Sequence, residues 1–143
     1  MASQTEFAVL ETSFLVDFLN GDEYTLKALE FLREEVAEFV VPAITMYELY
    51  SGAIRSNAAD DSPAAVDHAL SWASVRPFDA DQALTAARIR AQLLDDGNPI
   101  PVPDILIAAA AEVTDHTVLV TTDHHFTALT VQQLEYIIRR PNR

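Results

Sequence analysis

Residues 7–20 read FAVLETSFLVDFLN: a short apolar run, one acid, and then a longer apolar run. The first four residues predict a buried strand, because the run is uniformly apolar and too short for a helix. The residues after Glu11 predict a helix with Thr12 or Ser13 as its N-cap. This stretch therefore predicts one strand followed by one helix, with a carboxylate where the strand ends.

The same alternation of strand and helix continues along the chain. Further strands are predicted at 39–42, 75–78 and 118–122, and an edge strand at 134–138. Helices are predicted at about 23–38, 43–55, 64–74 and 80–94, and from about residue 104 onward. Turn residues at 20–22 and 95–99 separate neighbouring elements. This order predicts an α/β fold with a mainly parallel sheet.

The composition is that of one folded domain over residues 1–143, with a basic tail at about 139–143. Hydrophobic residues make up 50% of the chain, enough for a substantial core. No apolar run approaches the roughly 18–20 residues of a membrane span, and the first residues lack the basic region of a secretory signal. We therefore expect a cytoplasmic protein. The absence of cysteine excludes disulfides, thiolate metal ligands and cysteine nucleophiles.

The net charge of −13 argues against an ordinary nucleic-acid-binding surface, which is usually basic. The chain has only one lysine, Lys27, but eight arginines. Surplus acids with almost no lysine resemble the composition of proteins from salt-loving archaea, where molar salt screens surface repulsion beyond about 3 Å. An ordinary acidic protein from a mesophile is the alternative. The charge therefore indicates habitat more than ligand.

Four acids lie in apolar surroundings, where a lone buried carboxylate would cost several kcal/mol or become protonated. They are Glu11, Glu48, Asp104 and Asp123. Two of them follow predicted strands, and the other two lie near the beginnings of predicted helices. Ligands of parallel α/β sheets gather beyond the carboxyl ends of the strands, and the topology brings all four acids to that edge.

Acids that converge in this way repel one another unless a cation is present. Oxygen ligands favour Mg²⁺, Mn²⁺ or Ca²⁺. A divalent ion can polarise a phosphate oxygen and lower the pKa of water, which suits hydrolysis of a phosphodiester bond without a protein nucleophile. It can also bridge an acidic protein to a polyanion such as RNA.

Each acid also has a purely structural interpretation. Glu11 could reach solvent from a strand end, and Glu48 could pair with Arg55 along its helix. Asp104 could be the N-cap of its helix, and Asp123 could cap a turn. The four structural roles together are less probable than any one of them alone.

Other polar residues give weaker signals. Four hydroxyl residues beside the predicted edge could orient an acid or hold a metal-bound water, or they could cap helices and turns: Thr12, Ser13, Thr121 and Thr122. Asp17 is interpreted as a solvated helix position, and His124 and His125 as a surface turn.

Three motifs resemble, in their order and separation, those of a PIN domain, specifically the short VapC-type toxins of prokaryotic toxin–antitoxin pairs. They are VLETSFLVDFL (9–19), VPAITMYELYSGA (41–53) and DILIAAAAEVTDHTVLVTTDHHF (104–126). The resemblance covers nearly the full length and implies a three-layer α/β/α domain with Mg²⁺- or Mn²⁺-dependent endoribonuclease activity on RNA. It also implies a small VapB-like antitoxin in the cleft and a homodimer.

The resemblance also implies roles for individual residues. The predicted catalytic set is Glu11, Glu48, Asp104 and Asp123. The predicted metal ligands among them are Glu11, Asp104 and Asp123. The predicted supporting residues are Thr12, Ser13 and Thr122.

The first motif departs from the family pattern, which ordinarily has aspartate at the position of Glu11. The extra methylene keeps the charge but moves the carboxylate by roughly a bond length, which matters where metal geometry must be near-ideal. A catalytically weakened PIN domain that binds RNA or antitoxin is therefore the alternative function. A phosphorelay receiver domain would need a lysine after a late strand, and Lys27 lies in an early helix.

Overall fold

A computed structural model describes residues 6–113, 116–123 and 126. The strands in that part of the chain are β1 (Phe7–Leu10), β2 (Glu38–Pro42), β3 (Ser74–Arg76) and β4 (Thr117–Val120). The helices are α1 (Thr12–Leu19), α2 (Glu23–Glu35), α3 (Ala43–Arg55), α4 (Pro63–Ala69), α5 (Ala80–Asp95) and α6 (Val102–Glu112). None of these helices is both long and apolar enough to cross a membrane.

The four strands form one parallel sheet in the order β3-β2-β1-β4. Leu10, the last residue of β1, is in register with Val120, the last residue of β4. The backbone N–H of Glu11 continues the ladder by donating to the Val120 carbonyl at 3.0 Å. The residues that follow β1 and β4 therefore emerge side by side at one edge of the sheet.

Two apolar cores cover the two faces of the sheet, because successive strand side chains point to opposite faces. Ala8 and Leu10 of β1 face a core that includes residues of α1, α2, α3 and α4. Val9, between them, faces the core formed with α5 and α6. This arrangement confirms the predicted three-layer α/β/α architecture with a mainly parallel sheet.

Several element ends differ from the prediction. Helix α2 ends at Glu35, because Val36 is extended and the N–H groups of residues 37 and 38 bind the Glu6 carbonyl at the start of the sheet. Helix α4 ends at Ala69, whose carbonyl accepts a 2.7 Å bond from the Trp72 indole. Strand β3 covers Ser74–Arg76, where 75–78 was predicted, and β4 covers Thr117–Val120, where 118–122 was predicted.

The two predicted turns are confirmed, and each contains a glycine with positive φ, +74° at Gly21 and +71° at Gly97. Glycine adopts this conformation without the steric cost that a side chain brings. The predicted edge strand at 134–138 and the basic tail lie outside the described residues.

Candidate metal centre

Three of the four predicted acids meet at the edge of the sheet. Glu11 follows β1, Asp123 follows β4, and Asp104 lies in the first turn of α6. One carboxylate oxygen from each lies within 4.8 Å of the others. Glu11 is 2% exposed and Asp104 is 9% exposed, so two of the three carboxylates are buried. The sheet register and the connection into α6 bring Glu11 to two acids that are more than 90 positions away in sequence.

Glu11 is itself the N-cap of α1, so the prediction of Thr12 or Ser13 as the cap is wrong. Its backbone is extended, and its side chain folds back so that Oε2 accepts from the Ser13 backbone N–H at 2.9 Å. The hydroxyls of Ser13 and Thr121 both donate to Oε1. Glu11 therefore does not reach solvent from a strand end, and the three donors fix the position of its carboxylate.

Burial is the largest influence on the Glu11 carboxyl, and it raises the pKa above the ordinary value of 4.5. The hydrogen bonds from Ser13 and Thr121 oppose this rise in pKa, while the nearby charge of Asp104 adds to it. A cation between the carboxylates would favour their ionised forms. The electrostatics of the cluster are thus those expected of a cation site.

Asp104 is not the N-cap of α6, because the helix begins two residues earlier and Pro101 occupies the cap position. The backbone N–H of Asp104 already donates to the Pro101 carbonyl at 3.1 Å. A carboxylate in the first turn is favoured by the partial positive charge of the helix N-terminus. The helix therefore supports a negative charge at this position without using it as a cap.

Glu48 is not part of the three-acid cluster, but it is bonded to Thr12, the residue after Glu11. Its Oε1 accepts a 2.6 Å hydrogen bond from the Thr12 hydroxyl, across from α1 to α3. The suggested pairing with Arg55 is therefore replaced by a bond to a neighbouring helix.

A small network of hydroxyls connects the start of α1 to the loop after β4. The Thr122 hydroxyl lies 3.0 Å from the Ser13 hydroxyl and 3.4 Å from a carboxylate oxygen of Asp17. The Thr121 hydroxyl accepts from the Asp123 backbone N–H at 2.9 Å. Asp17 is partly exposed, as its interpretation as a solvated residue requires, and it also contacts this network through Thr122. His124 and His125 lie outside the described residues.

Phe126 anchors the loop that carries Asp123, a role that the sequence interpretation missed. Its side chain is fully buried in the core formed with α5 and α6. Its backbone N–H donates to the Asp123 carbonyl at 3.4 Å. The sequence signal for this role was a single aromatic residue among polar ones, three positions after Asp123.

The cluster fits a hard divalent cation. Its ligands are all carboxylate oxygens, with hydroxyl groups nearby, and such donors suit Mg²⁺, Mn²⁺ or Ca²⁺. Two oxygens bound to one Mg²⁺ lie at most about 4.2 Å apart, and those bound to Ca²⁺ at most about 5.2 Å. The spread of up to 4.8 Å therefore accommodates Ca²⁺ directly and Mg²⁺ after a small inward movement of the side chains.

Several solved structures resemble this fold, among them a member of the VapBC family of toxin-antitoxin systems. A chain of VapBC2 from Rickettsia felis, bound to a DNA fragment from their promoter, matches with a TM-score of 0.80 at 22% identity, over 94% of this chain and 99% of that chain. A chain of VapBC-5 from Mycobacterium tuberculosis matches with a TM-score of 0.70 at 25% identity, over 94% and 98%. For FitAcB from Neisseria gonorrhoeae the TM-score is 0.72 at 25% identity, over 85% and 91%.

Comparison of the sequence with known proteins identifies a family but no individual relative. No curated protein sequence matches the chain. A family model described as PIN domain matches residues 8–131, which is most of the chain and includes all four acids. The resemblance inferred from the three motifs is thereby confirmed, and the chain belongs to the PIN domain family.

Proposed function

We propose that the protein is a VapC-type toxin: a metal-dependent endoribonuclease that hydrolyses RNA phosphodiester bonds and is neutralised by a VapB-like antitoxin. The observation that carries this proposal is the convergence of Glu11, Asp104 and Asp123 at the edge of the sheet in a PIN domain. The likeness to VapBC-5, a member of the VapBC family of toxin-antitoxin systems, supports the toxin–antitoxin context. A homodimer remains a prediction.

In the proposed site, Glu11, Asp104 and Asp123 would hold Mg²⁺ or Mn²⁺. When bound, the ion supplies Lewis-acid chemistry, polarising the phosphate and making water a better nucleophile. Glu48 would accept the proton of the water that attacks phosphorus, and the oxygen that leaves as the P–O bond of the RNA breaks would take up a proton from solvent. Ser13 and Thr122 support the cluster through the hydroxyl network, and no protein nucleophile is required.

The acidity of the chain is compatible with an RNA substrate under two conditions. The metal ion must neutralise part of the cluster, and the remaining repulsion between an acidic surface and phosphates must be screened by salt. Both conditions agree with the salt-loving habitat that we propose from the scarcity of lysine. Cleavage assays therefore belong at high ionic strength as well as low.

One observation favours the alternative of a weakened enzyme that acts by binding. Both carboxylate oxygens of Glu11 already accept protein hydrogen bonds, two on Oε1 and one on Oε2. These bonds occupy three of the roughly four lone-pair sites of the carboxylate, so an ion that binds Glu11 competes with Ser13 and Thr121 for all but one of them. If this competition is severe, the longer side chain lowers metal affinity and the domain retains only RNA or antitoxin binding.

The variant Glu11→Asp separates the two functions. We expect the wild-type protein to cleave structured RNA with Mn²⁺ or Mg²⁺ and to stop when EDTA is added. We expect Glu11→Asp to change the cleavage rate by less than about tenfold, because the Glu11 carboxylate already lies within the cluster. The measurement is the initial rate at saturating metal, in parallel with Mn²⁺ affinity by calorimetry.

The exposed Glu34→Asp variant controls for the same chemical change away from the site. A rise in cleavage well above tenfold in Glu11→Asp alone would identify the present chain as a weakened enzyme. Equal inactivity of both proteins at saturating metal would exclude nuclease activity and would show that Glu11 is not the cause.

A groove next to Glu48 supports an antitoxin partner. It encloses about 470 Å³ between α1, α3 and α4. Its apolar surface includes Val16, Leu19 and Val66, and its charged residues are Glu48, Asp60 and Asp61. An apolar floor with an acidic rim fits a peptide segment that carries both apolar and basic side chains.

Gly52, which lines this groove in the middle of α3, allows a test. A Cβ at this position would meet open space, so a larger side chain is tolerated by the fold. We expect Gly52→Trp to fill the groove and to prevent copurification with the coexpressed product of a neighbouring small reading frame. The matched Gly52→Ala variant should keep the partner and gain about 0.5–1 kcal/mol of stability. Undiminished copurification with Gly52→Trp would place the partner elsewhere.

A further inference from the structure

The hydroxyl of Thr12, at the start of α1, bonds a side chain on another helix instead of the backbone of its own helix. A threonine there commonly uses its hydroxyl to cap the backbone. In this chain the cap is Glu11, and the Thr12 hydroxyl instead donates to Glu48 Oε1 at 2.6 Å, 36 residues away in sequence. Capping by the carboxylate therefore releases the Thr12 hydroxyl for a contact between helices.

This contact links Glu48 to the three-acid cluster by a short path. Thr12 directly follows Glu11, and consecutive Cα atoms are about 3.8 Å apart. The Glu11 carboxylate is fixed by Ser13 and Thr121, so the start of α1 is held firmly against the cluster. Glu48 extends from a different helix and is only half-buried. Its hydrogen bond from the Thr12 hydroxyl therefore restrains its carboxylate relative to the start of α1.

We propose that Thr12 is a positioning residue that holds the Glu48 carboxylate at the edge of the metal cluster, in place to accept the proton of the attacking water. This inference rests on the proposed nuclease function. Thr12 acts on the chemical step through Glu48, whereas the affinity of the cluster for metal depends on Glu11, Asp104 and Asp123. The loss of its hydroxyl should therefore lower kcat without weakening metal binding.

The test is Thr12→Val, which keeps the branched shape and removes the hydroxyl, measured beside Thr12→Ser, which restores it. We expect Thr12→Val to lower kcat about tenfold, with KM and Mn²⁺ affinity each within about twofold of wild type. Thr12→Ser should recover most of kcat. Thr85→Val makes the same change at a half-buried threonine near the start of α5 and should leave all three values unchanged.

A double-mutant cycle with Glu48→Gln separates positioning from a merely structural contact between α1 and α3. If Thr12 acts through Glu48, Thr12→Val lowers kcat in the wild type and has little further effect in the Glu48→Gln background. An equal loss of kcat in both backgrounds, or a parallel loss of Mn²⁺ affinity, would overturn the proposal. A fully active Thr12→Val overturns this inference alone, whereas a wild-type protein without metal-dependent cleavage overturns the proposed function with it.

Discussion

Asp104→Asn should lower metal-dependent RNA cleavage by about 100-fold or more. Even residues that only support a metal ligand are worth about 10–100-fold in affinity or activity, and Asp104 is proposed to bind the metal directly. The substitution keeps the size of the side chain and removes one of three converging charges. The measurements are the cleavage rate over a Mn²⁺ titration and the Mn²⁺ affinity by calorimetry.

The stability of the metal-free variant distinguishes a lost ligand from a damaged fold. The charge of Asp104 is one cause of the raised pKa of Glu11, so its removal relieves repulsion. The substitution also removes a carboxylate that the N-terminus of α6 favours, so we expect Asp104→Asn in EDTA to stay within about 1 kcal/mol of the wild-type stability by urea denaturation. Asp81→Asn, at an exposed position in α5, is the matched control and should keep full activity. Metal-dependent cleavage that survives Asp104→Asn would refute the proposed site.

Phe126→Ala should destabilise the fold more than any of the substitutions in the metal cluster, with a loss of about 3–5 kcal/mol in the free energy of unfolding. The ring is fully buried, and its removal leaves a cavity in the core against α5 and α6. Because the backbone N–H of Phe126 donates to the Asp123 carbonyl, the same change should make the position of Asp123 in the metal cluster less fixed. The measurements are urea denaturation in EDTA and Mn²⁺ affinity of the folded protein.

The milder Phe126→Leu keeps the prediction testable if the alanine variant does not fold. It should cost about 1 kcal/mol of stability and still weaken Mn²⁺ binding. Leu93→Ala, in the same core but on α5, should cost about 2–5 kcal/mol and leave the Mn²⁺ affinity unchanged. Equal metal affinities in Phe126→Leu and wild type would show that Phe126 stabilises the core without positioning Asp123.

The elements that the sequence predicted correctly are those with strong local signals. The apolar run at 7–10 became β1, and the helix predicted at 80–94 became α5, which Asp79 caps by accepting from the Gln82 N–H. The motifs also indicated the PIN family. Their residues and their order can be read from the sequence without knowing which residues are in contact. The site residues were chosen for a physical reason that is visible in sequence, namely charge placed next to apolar segments.

Long-range contacts decided the remaining features. The cap of α1 is a local bond, but the second oxygen of Glu11 accepts from Thr121, which is 110 residues away and adjacent only because Leu10 is in register with Val120. The role of Thr12 depends on where α3 packs against α1, and the role of Phe126 depends on the core beneath the loop after β4.

The sequence by itself therefore determined the α/β class, the family and the identity of the acids. The tertiary structure alone decided which acids meet, which one stays beside the cluster and which donors hold each of them. The physical reason is that helix and strand patterns arise from neighbours a few residues apart, whereas a hydrogen bond or a ligand set requires atoms to lie within a few ångströms after the sheet has formed.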